Sequence, residues 1–155
     1  MEITTRAVEK LLVTWDQFEE QVEAISEHFK GVKFDRVVGI SRGGLPLGVV
    51  LSHRMNLPFT VVGVSSYNNE TNEQETLVCN TPDILFENWG GSVLICDDIA
   101  DSGQTLEFLA DKISTYPQIK KFTTVTLYYK AHSVFIPDFY VIETDKWVVF
   151  PWERK

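Results

Sequence analysis

Cysteine is scarce in this 155-residue chain, which carries only Cys79 and Cys96. Two cysteines without metal-binding spacing give no reason to expect a zinc or cluster site. Cys96 lies in an apolar run that is typical of a buried strand, so we interpret it as an ordinary core residue. Such sparse use of cysteine is typical of a reducing compartment, and we expect a cytoplasmic protein.

Long apolar runs are missing, and no segment approaches the roughly 20 residues that a membrane-spanning helix needs. Charged residues (Glu2, Arg6, Glu9 and Lys10) interrupt the N-terminal region, so we expect no signal peptide. Basic residues are outnumbered, with 14 Lys and Arg against 22 Asp and Glu and a net charge of −8. We therefore expect no nucleic-acid partner, because phosphate backbones are bound by clustered Lys and Arg.

Repeats, low-complexity tracts and linker-like segments are also absent, and the length suits one domain, which we assign to residues 1–155. What the chain does contain is an alternation of strand and helix patterns. Helices are predicted over Thr14–Lys30, Leu45–Met55 and from Ser102 to about Thr115, and strands over Arg36–Ile40, Phe59–Ser65, Val93–Cys96, Phe122–Tyr129 and Tyr140–Ile142. This order predicts an α/β fold with a mostly parallel central sheet flanked by helices.

The remaining segments carry local signals. Thr14 and Gln17 fit a capping box at the start of the first helix. The polar stretch Tyr67–Glu75 has no periodicity and is predicted to be a mobile surface loop. Leu77–Cys79 is predicted to form a hairpin with the preceding strand, and Pro82–Asn88 to form a helical turn.

Three groups of candidate functional residues stand directly after predicted strands. They are Ser41–Gly44, Asp97–Thr105 and Lys130. Ligands of such sheets gather at the carboxyl ends of the strands. The sequence therefore predicts that this chemistry converges on one edge of the sheet.

The most informative stretch is residues 93–105, where an apolar strand ends on Asp97 and Asp98 and a small polar loop leads into a helix. A helix N-terminus offers free N–H groups and the positive end of a dipole to a phosphate. The two carboxylates would repel a phosphate, so they suit sugar hydroxyls or a hydrated metal. The alternative is an ordinary turn in which Asp101 and Ser102 only cap the helix.

This pattern of strand, two acids, small polar loop and helix resembles the phosphoribosyl-diphosphate (PRPP) signature of the type I phosphoribosyltransferases. The resemblance implies the fold of that family and binding of PRPP. Asp97 and Asp98 would hold the ribose hydroxyls. The loop, called the phosphate loop below, would wrap the 5′-phosphate through Ala100, Asp101, Ser102, Gly103, Gln104 and Thr105.

The glycine-rich loop after the first strand carries a weaker signal. Glycines let a ligand approach the backbone, and an arginine can fork onto a diphosphate, although a plain turn with an exposed arginine has the same composition. Beside the PRPP signature the loop is similar to the diphosphate-binding loop of purine phosphoribosyltransferases. The resemblance implies that Ser41, Arg42 and Gly43 bind diphosphate, and that the Ser41–Arg42 peptide bond is cis.

Further along the chain the resemblance narrows to the 6-oxopurine, or xanthine-guanine, group of the family. Taken alone, Lys130 could be a solvated lysine and Trp147 a core or interface aromatic residue. In that group the matching lysine contacts the 6-oxo oxygen of the purine and the matching tryptophan stacks on its ring. The backbone beside the tryptophan, at Val148 in this chain, meets the 2-substituent.

The resemblance also implies a Mg²⁺ cofactor, with Asp98 and Glu153 as protein ligands. It implies a core over about residues 11–130 and a small C-terminal hood over about 131–155. One departure from the group is that Gln74 and Glu75 stand where the group has an arginine, which weakens any contact of that loop with diphosphate.

Taken together, the resemblance implies a purine-salvage enzyme that transfers 5-phosphoribosyl from PRPP to N9 of guanine, xanthine or hypoxanthine and releases diphosphate. Asp101 is the implied catalytic residue, because it can manage a proton at the imidazole edge of the base. Two alternatives stay open: an acceptor such as adenine or a pyrimidine, and a non-catalytic PRPP-sensing module. Family habit and the predicted exposure of Phe150 and Trp152 favour a homodimer or homotetramer.

Overall fold

The structure is a computed structural model that describes residues 8–68, 75–82 and 86–155. Its strands in this part of the chain are β1 (Lys10–Leu12), β2 (Arg36–Ser41), β3 (Phe59–Asn68), β4 (Glu75–Cys79), β5 (Gly91–Ala100), β6 (Ile119–Tyr129), β7 (Phe139–Glu143) and β8 (Trp147–Val149). Its longer helices there are α1 (Trp15–His28), α2 (Leu45–Met55) and α3 (Gln104–Ile113), and a 3₁₀ turn spans Pro151–Glu153.

The main sheet has six strands in the order β4-β3-β2-β5-β6-β7. All neighbours run parallel except β3 and β4, which pair antiparallel. The predicted α/β class with a mostly parallel sheet is therefore confirmed. Because β5 lies between β2 and β6, with Cys96 opposite Gly39 on one side and Val125 on the other, the carboxyl ends of these three strands meet at one edge.

Helix α1 begins at the predicted cap. The Thr14 hydroxyl accepts the N–H of Gln17 at 3.1 Å, and the Gln17 side-chain oxygen accepts the N–H of Thr14 at 2.9 Å, so the predicted capping box is formed. The buried face of the helix includes Phe18, Val22 and Ile25. The helix ends at His28, slightly before the predicted Lys30, and Gly31 follows with a φ of 81°.

Each face of the main sheet carries its own core, because strand side chains point alternately to the two faces. On one face α1 and α2 cover Val37, Leu94 and Cys96. On the other face α3 covers Val38 and Ile95. Cys96 is fully buried, as predicted for a core residue, and this burial raises the pKa of its thiol.

Strand β5 continues through Asp97 and Asp98 to Ala100, beyond the predicted end at Cys96. Its parallel pairing with β6 extends as far as Ala100 opposite Tyr129, so backbone pairing rather than apolar composition decides where the strand ends. The carboxylates of Asp97 and Asp98 interact with each other, although the two residues line different cavities.

A second sheet of two strands pairs β1 with β8 in parallel, with Leu11 opposite Val148. The sequence pattern does not predict β1, because a strand of three residues carries no periodicity. Strand β1 thus packs with the predicted hood, whereas β7, inside the predicted hood boundaries, is an edge strand of the main sheet. The name hood is kept below for β1, β8 and the 3₁₀ turn.

Near the C-terminus Phe150 is buried and Trp152 is partly buried. Phe150 is 1% exposed, and Trp152 lies with its ring centroid 4.9 Å from that of Phe150 and 5.3 Å from that of Phe18. The prediction that Phe150 and Trp152 are exposed is therefore wrong, because α1 supplies an aromatic partner that the local sequence does not reveal. The exposed aromatic residue of the hood is Trp147, at 56%.

The segments between β3 and β5 also differ from expectation. Strand β3 runs to Asn68 and pairs antiparallel with β4 from Glu75 onward, so the ends of the predicted loop are strand, while residues 69–74 lie outside the described residues. The predicted hairpin through Leu77–Cys79 is confirmed. In the predicted turn over 82–88, Phe86 and Glu87 are helical, and residues 83–85 are not described. No helix in the described ranges is long and apolar enough to cross a membrane.

We expect Thr14→Ala to lower the free energy of unfolding by about 1 kcal/mol, because it removes the cap oxygen from the start of α1. Equilibrium urea denaturation measures the difference. Thr14→Ser keeps a hydroxyl at the same place and should remain close to wild type. Equal losses in the alanine and serine variants would contradict the role of the hydroxyl.

Candidate active site

The loop after β2 lies with its backbone against the end of β5. The Ser41–Arg42 peptide bond is cis, as the resemblance implied. A Cβ built on Gly43 would lie 2.1 Å from Oδ2 of Asp98, and one built on Gly44 would lie 2.3 Å from a backbone oxygen of β5. Both glycines are therefore required by this close approach.

A cavity of about 570 Å³ opens between this loop and the 3₁₀ turn. Its lining carries both positive and negative charge. The basic residues are Arg42, Arg154 and Lys155, and the acidic residues are Asp98 and Glu153. Gly43 and Trp152 complete the lining, and Ser41 is not part of it. This mixture of charges suits a multiply charged anion that binds together with a cation.

Asp97 faces a different cavity of about 120 Å³ beside the phosphate loop. The lining includes Ala100, Asp101, Ser102, Gly103 and Thr105. Of the residues predicted to bind the 5′-phosphate, only Gln104 is outside this lining; it begins α3, and its N–H donates to Oγ of Ser102 at 3.3 Å. Asp97 and Asp98 thus line separate cavities, although the sequence pattern suggests that they act as one pair.

Gly103 determines the shape of the phosphate loop. Its φ of 79° is in the left-handed region, and a Cβ there would lie 2.2 Å from Oγ of Ser133 and 2.6 Å from the nitrogen of Phe135. The N–H of Val134 donates to the carbonyl oxygen of Ser102 at 2.8 Å. The chain after β6 therefore packs directly on the phosphate loop. The N-cap residue Gly103 makes no side-chain cap bond to α3, and the N–H groups of this helix end suit an anion.

The surroundings of Asp97 and Asp98 disfavour negative charge. Burial raises the pKa of Asp97 well above its usual value, and repulsion from Asp98 adds to the shift. Burial is also the main reason that the pKa of Asp98 rises to about 6, and the charge of Glu153 adds to it. A bound cation or a set of hydroxyl donors would stabilise the charged form of both carboxylates and so lower their pKa values.

Asp98 and Glu153 are two carboxylates that could hold a divalent cation. They line one cavity, and their mutual repulsion would be relieved by a cation between them. Carboxylate oxygens suit Mg²⁺, which commonly takes one or two carboxylates together with substrate phosphates. Groups of three or more His, Cys, Asp or Glu able to hold a metal do not occur within the described ranges.

Asp101 does not act as the helix cap considered above. Its Oδ1 lies 2.7 Å from Nε2 of His132, and its Oδ2 lies 3.4 Å from Nζ of Lys130. The carboxylate therefore joins the phosphate loop to the chain that follows β6, with a separate partner for each oxygen.

Lys130 is 7% exposed, so the alternative of a solvated lysine does not hold. Its Nζ lies 5.9 Å from the ring centroid of Trp147, within cation–π range. The backbone N–H of Lys130 donates to the carbonyl oxygen of Ala100 at 3.0 Å. The side chain of Val148 is buried in the core, so only the backbone of that residue is available to a ligand.

A third cavity, of about 500 Å³, adjoins Lys130 and His132. The rest of its lining comes from Ala131 and from the end of β7 and the turn after it, namely Glu143, Thr144 and Asp145. This cavity provides space for a small ligand beside Lys130, and Trp147 is not part of its lining.

Sequence reasoning missed two parts of the site. His132 stands close to Lys130 in the chain, but that proximity is too weak a signal to predict a contact with Asp101. Arg154 reaches the 570 Å³ cavity because its Nη2 donates to the carbonyl oxygen of Val13 at 2.9 Å. The basic character of the C-terminal residues is visible in the sequence, but their return to the loop after β2 is a tertiary contact.

A sequence profile of the phosphoribosyl transferase domain matches residues 14–155. The chain belongs to the phosphoribosyltransferase family. The xanthine-guanine phosphoribosyltransferase of Cereibacter sphaeroides is 33% identical over 149 residues, which cover 91% of this chain and 85% of that protein. The protein of the same name from Idiomarina loihiensis is 27% identical and covers 93% of this chain and 87% of that protein.

Solved structures show the same relationship. A purine phosphoribosyltransferase from Pyrococcus horikoshii superposes with a TM-score of 0.82 at 32% identity, covering 95% of each chain. The xanthine-guanine-hypoxanthine phosphoribosyltransferase of Helicobacter pylori, at 22% identity and a TM-score of 0.80, shares the fold. The predicted type I phosphoribosyltransferase fold is therefore confirmed.

We expect Asp98→Asn to stabilise the ligand-free phosphoribosyltransferase at neutral pH. In the fold the pKa of Asp98 is about 6, above the value of about 3.9 for an unfolded aspartate, so the ionised carboxylate destabilises the fold above pH 6. This effect disappears as the pH falls below the unfolded value. The variant should be more stable by on the order of 2 kcal/mol at pH 8 and close to wild type near pH 4, by urea denaturation.

Asp111→Asn is the matched control, because Asp111 is exposed on α3. It should leave the difference in stability between pH 4 and pH 8 as it is in wild type. A gain in Asp98→Asn that is the same at both pH values would contradict the electrostatic cause.

Proposed function

We propose that this protein transfers the 5-phosphoribosyl group of PRPP to N9 of a 6-oxopurine and releases diphosphate. One observation carries the proposal: the Lys130 ammonium stands between the Asp101 carboxylate, at 3.4 Å, and the Trp147 ring, at 5.9 Å, beside the phosphate loop. A purine stacked on Trp147 would present its 6-oxo oxygen to Lys130 and its imidazole edge to Asp101. The relatives named xanthine-guanine phosphoribosyltransferase support the same class of acceptor.

PRPP would bind across the two cavities at the end of β5. The 5′-phosphate would occupy the smaller one, where the N-terminus of α3 and the hydroxyls of Ser102 and Thr105 offer donors. The ribose hydroxyls would lie between the cavities and donate to Asp97 and Asp98. The diphosphate would occupy the larger cavity, where the Arg42 guanidinium and the backbone of Gly43 would bind phosphate oxygens.

The larger cavity would hold Mg²⁺ through Asp98 and Glu153. When bound, this ion supplies positive charge that stabilises the diphosphate as it leaves. Arg154 and Lys155 line the same cavity and add to that stabilisation. The protein itself performs little covalent chemistry, because its task is to align the base with the ribose carbon and to keep water out.

Binding of the base requires the Lys130–Asp101 ion pair to open. Lys130 would then donate to the 6-oxo oxygen, and Asp101 would be free to accept a proton from the imidazole edge while N9 attacks the ribose carbon. The pair thus keeps both groups in place before the substrate arrives, and the substrate replaces the contact between them.

The protein would work as a homodimer or homotetramer in the cytoplasm. Phe150 and Trp152 no longer support association, because Phe150 is buried and Trp152 is partly buried. Support comes instead from apolar side chains on the surface after β6, where Val134 is 61% exposed and Ile136 is 66% exposed.

The direct test is release of diphosphate from PRPP and Mg²⁺ with guanine, xanthine, hypoxanthine, adenine or uracil as the acceptor. We expect release with at least one 6-oxopurine, little release with adenine or uracil, and loss of release on chelation with EDTA that added Mg²⁺ restores. Release with adenine or uracil alone would favour another acceptor class. Binding of PRPP by calorimetry without release from any base would favour a non-catalytic PRPP-binding module.

Asp101→Asn should lower kcat by about 10²–10⁴-fold, because the amide cannot accept the purine proton. The KM for PRPP should change little, since the phosphate loop backbone is unaffected. Steady-state kinetics with the preferred base measures both constants. Asp111→Asn should retain wild-type turnover, and near-normal turnover of Asp101→Asn would remove Asp101 from the mechanism.

A further inference from the structure

We propose that His132 is a positioning residue for Asp101, and that the charge on its imidazole controls how readily Asp101 accepts a proton. The inference rests on the proposed function, in which Asp101 takes a proton from the purine. Nε2 of His132 lies 2.7 Å from Oδ1 of Asp101, the shorter of the two contacts that this carboxylate makes with basic side chains.

Backbone hydrogen bonds place the segment that carries His132. The N–H groups of Lys130 and Val134 donate to the carbonyl oxygens of Ala100 and Ser102 at 3.0 and 2.8 Å. The segment is therefore tied to the phosphate loop on both sides of the histidine. The imidazole faces the carboxylate because of these bonds, although its own side chain is 66% exposed.

Substrate binding increases the dependence of Asp101 on His132. When a 6-oxopurine draws Lys130 away, the carboxylate loses one of its two basic partners, and His132 holds the other oxygen. The Asp101 side chain is 46% exposed, so without His132 it would be free to turn away from the purine nitrogen. A small loss of alignment at this step lowers the rate of proton transfer.

His132 also differs in kind from the other charged groups around Asp101. Lys130 lies at the end of β6, and Glu143 and Asp145, at the end of β7 and just after it, share a cavity with His132. Lysine and carboxylate side chains ordinarily keep their charge between pH 5 and 8, whereas histidine changes its charge in that range. A charged imidazole makes a neighbouring carboxylate a weaker proton acceptor, so loss of that charge should increase turnover.

The pH profile of kcat with guanine, at saturating PRPP and Mg²⁺, tests the proposal. We expect kcat of wild type to rise by about three- to tenfold between pH 5 and 8. His132→Gln keeps an N–H donor without a titratable charge, and this rise should be lost. His132→Ala also removes the donor, so kcat should be about fivefold lower at pH 8, with the KM for PRPP unchanged.

His53→Ala is the matched control, because His53 is an exposed histidine on α2, away from the site. It should keep the wild-type profile. A wild-type profile and a wild-type kcat in both His132 variants would overturn the proposal.

A readout without substrate separates this proposal from the proposed function. The ring protons of His132, followed by NMR at one pH, should change their chemical shifts in Asp101→Asn, because the ring loses its carboxylate contact at 2.7 Å. Asp111→Asn should leave these signals as they are in wild type, and identical signals in Asp101→Asn and wild type would overturn the pairing. Failure of wild type to release diphosphate from any base would overturn the proposed function and leave the NMR result to decide the pairing.

Discussion

The parallel pairing of β5 between β2 and β6 is the constraint on which the candidate site depends. The register that sets Cys96 opposite Gly39 and Val125 brings three strand ends to one edge of the sheet, and each end supplies one part of the site. The β2 end supplies the glycine-rich loop, the β5 end supplies two carboxylates and the phosphate loop, and the β6 end supplies Lys130. A slip of one residue in β5 would move the side chains of this strand to the other face of the sheet and so disrupt both cavities.

Close approach is the second physical requirement, and it explains where glycine cannot be replaced. The loop after β2 touches the Asp98 carboxylate at Gly43, and the chain after β6 fills the space beside Gly103. The Asp98 carboxylate beside Gly43 has a raised pKa, mainly because of burial, so its charge lowers the stability of the free protein at neutral pH. The Asp101 carboxylate differs, because Lys130 and His132 lie beside it.

Local sequence was a good guide wherever the physics is local. The Thr14–Gln17 capping box and the helical spacing of α1 depend on residues a few positions apart, and both are present as predicted. Contacts between distant parts of the chain could not be predicted in the same way. Trp152 is partly buried because it meets Phe18 on α1, and β1 is a strand only because β8 lies beside it.

The sequence by itself determined the class of fold, the family and the residue types of the site, because strand and helix periodicity and the order of acids, glycine and hydroxyls are written in neighbouring positions. Only the tertiary structure decided how those residues are shared between cavities. Asp97 and Asp98 line different cavities, and hydrogen bonds between the chain after β6 and the phosphate loop bring His132 to Asp101. Such pairings depend on distances across the fold, which no local pattern encodes.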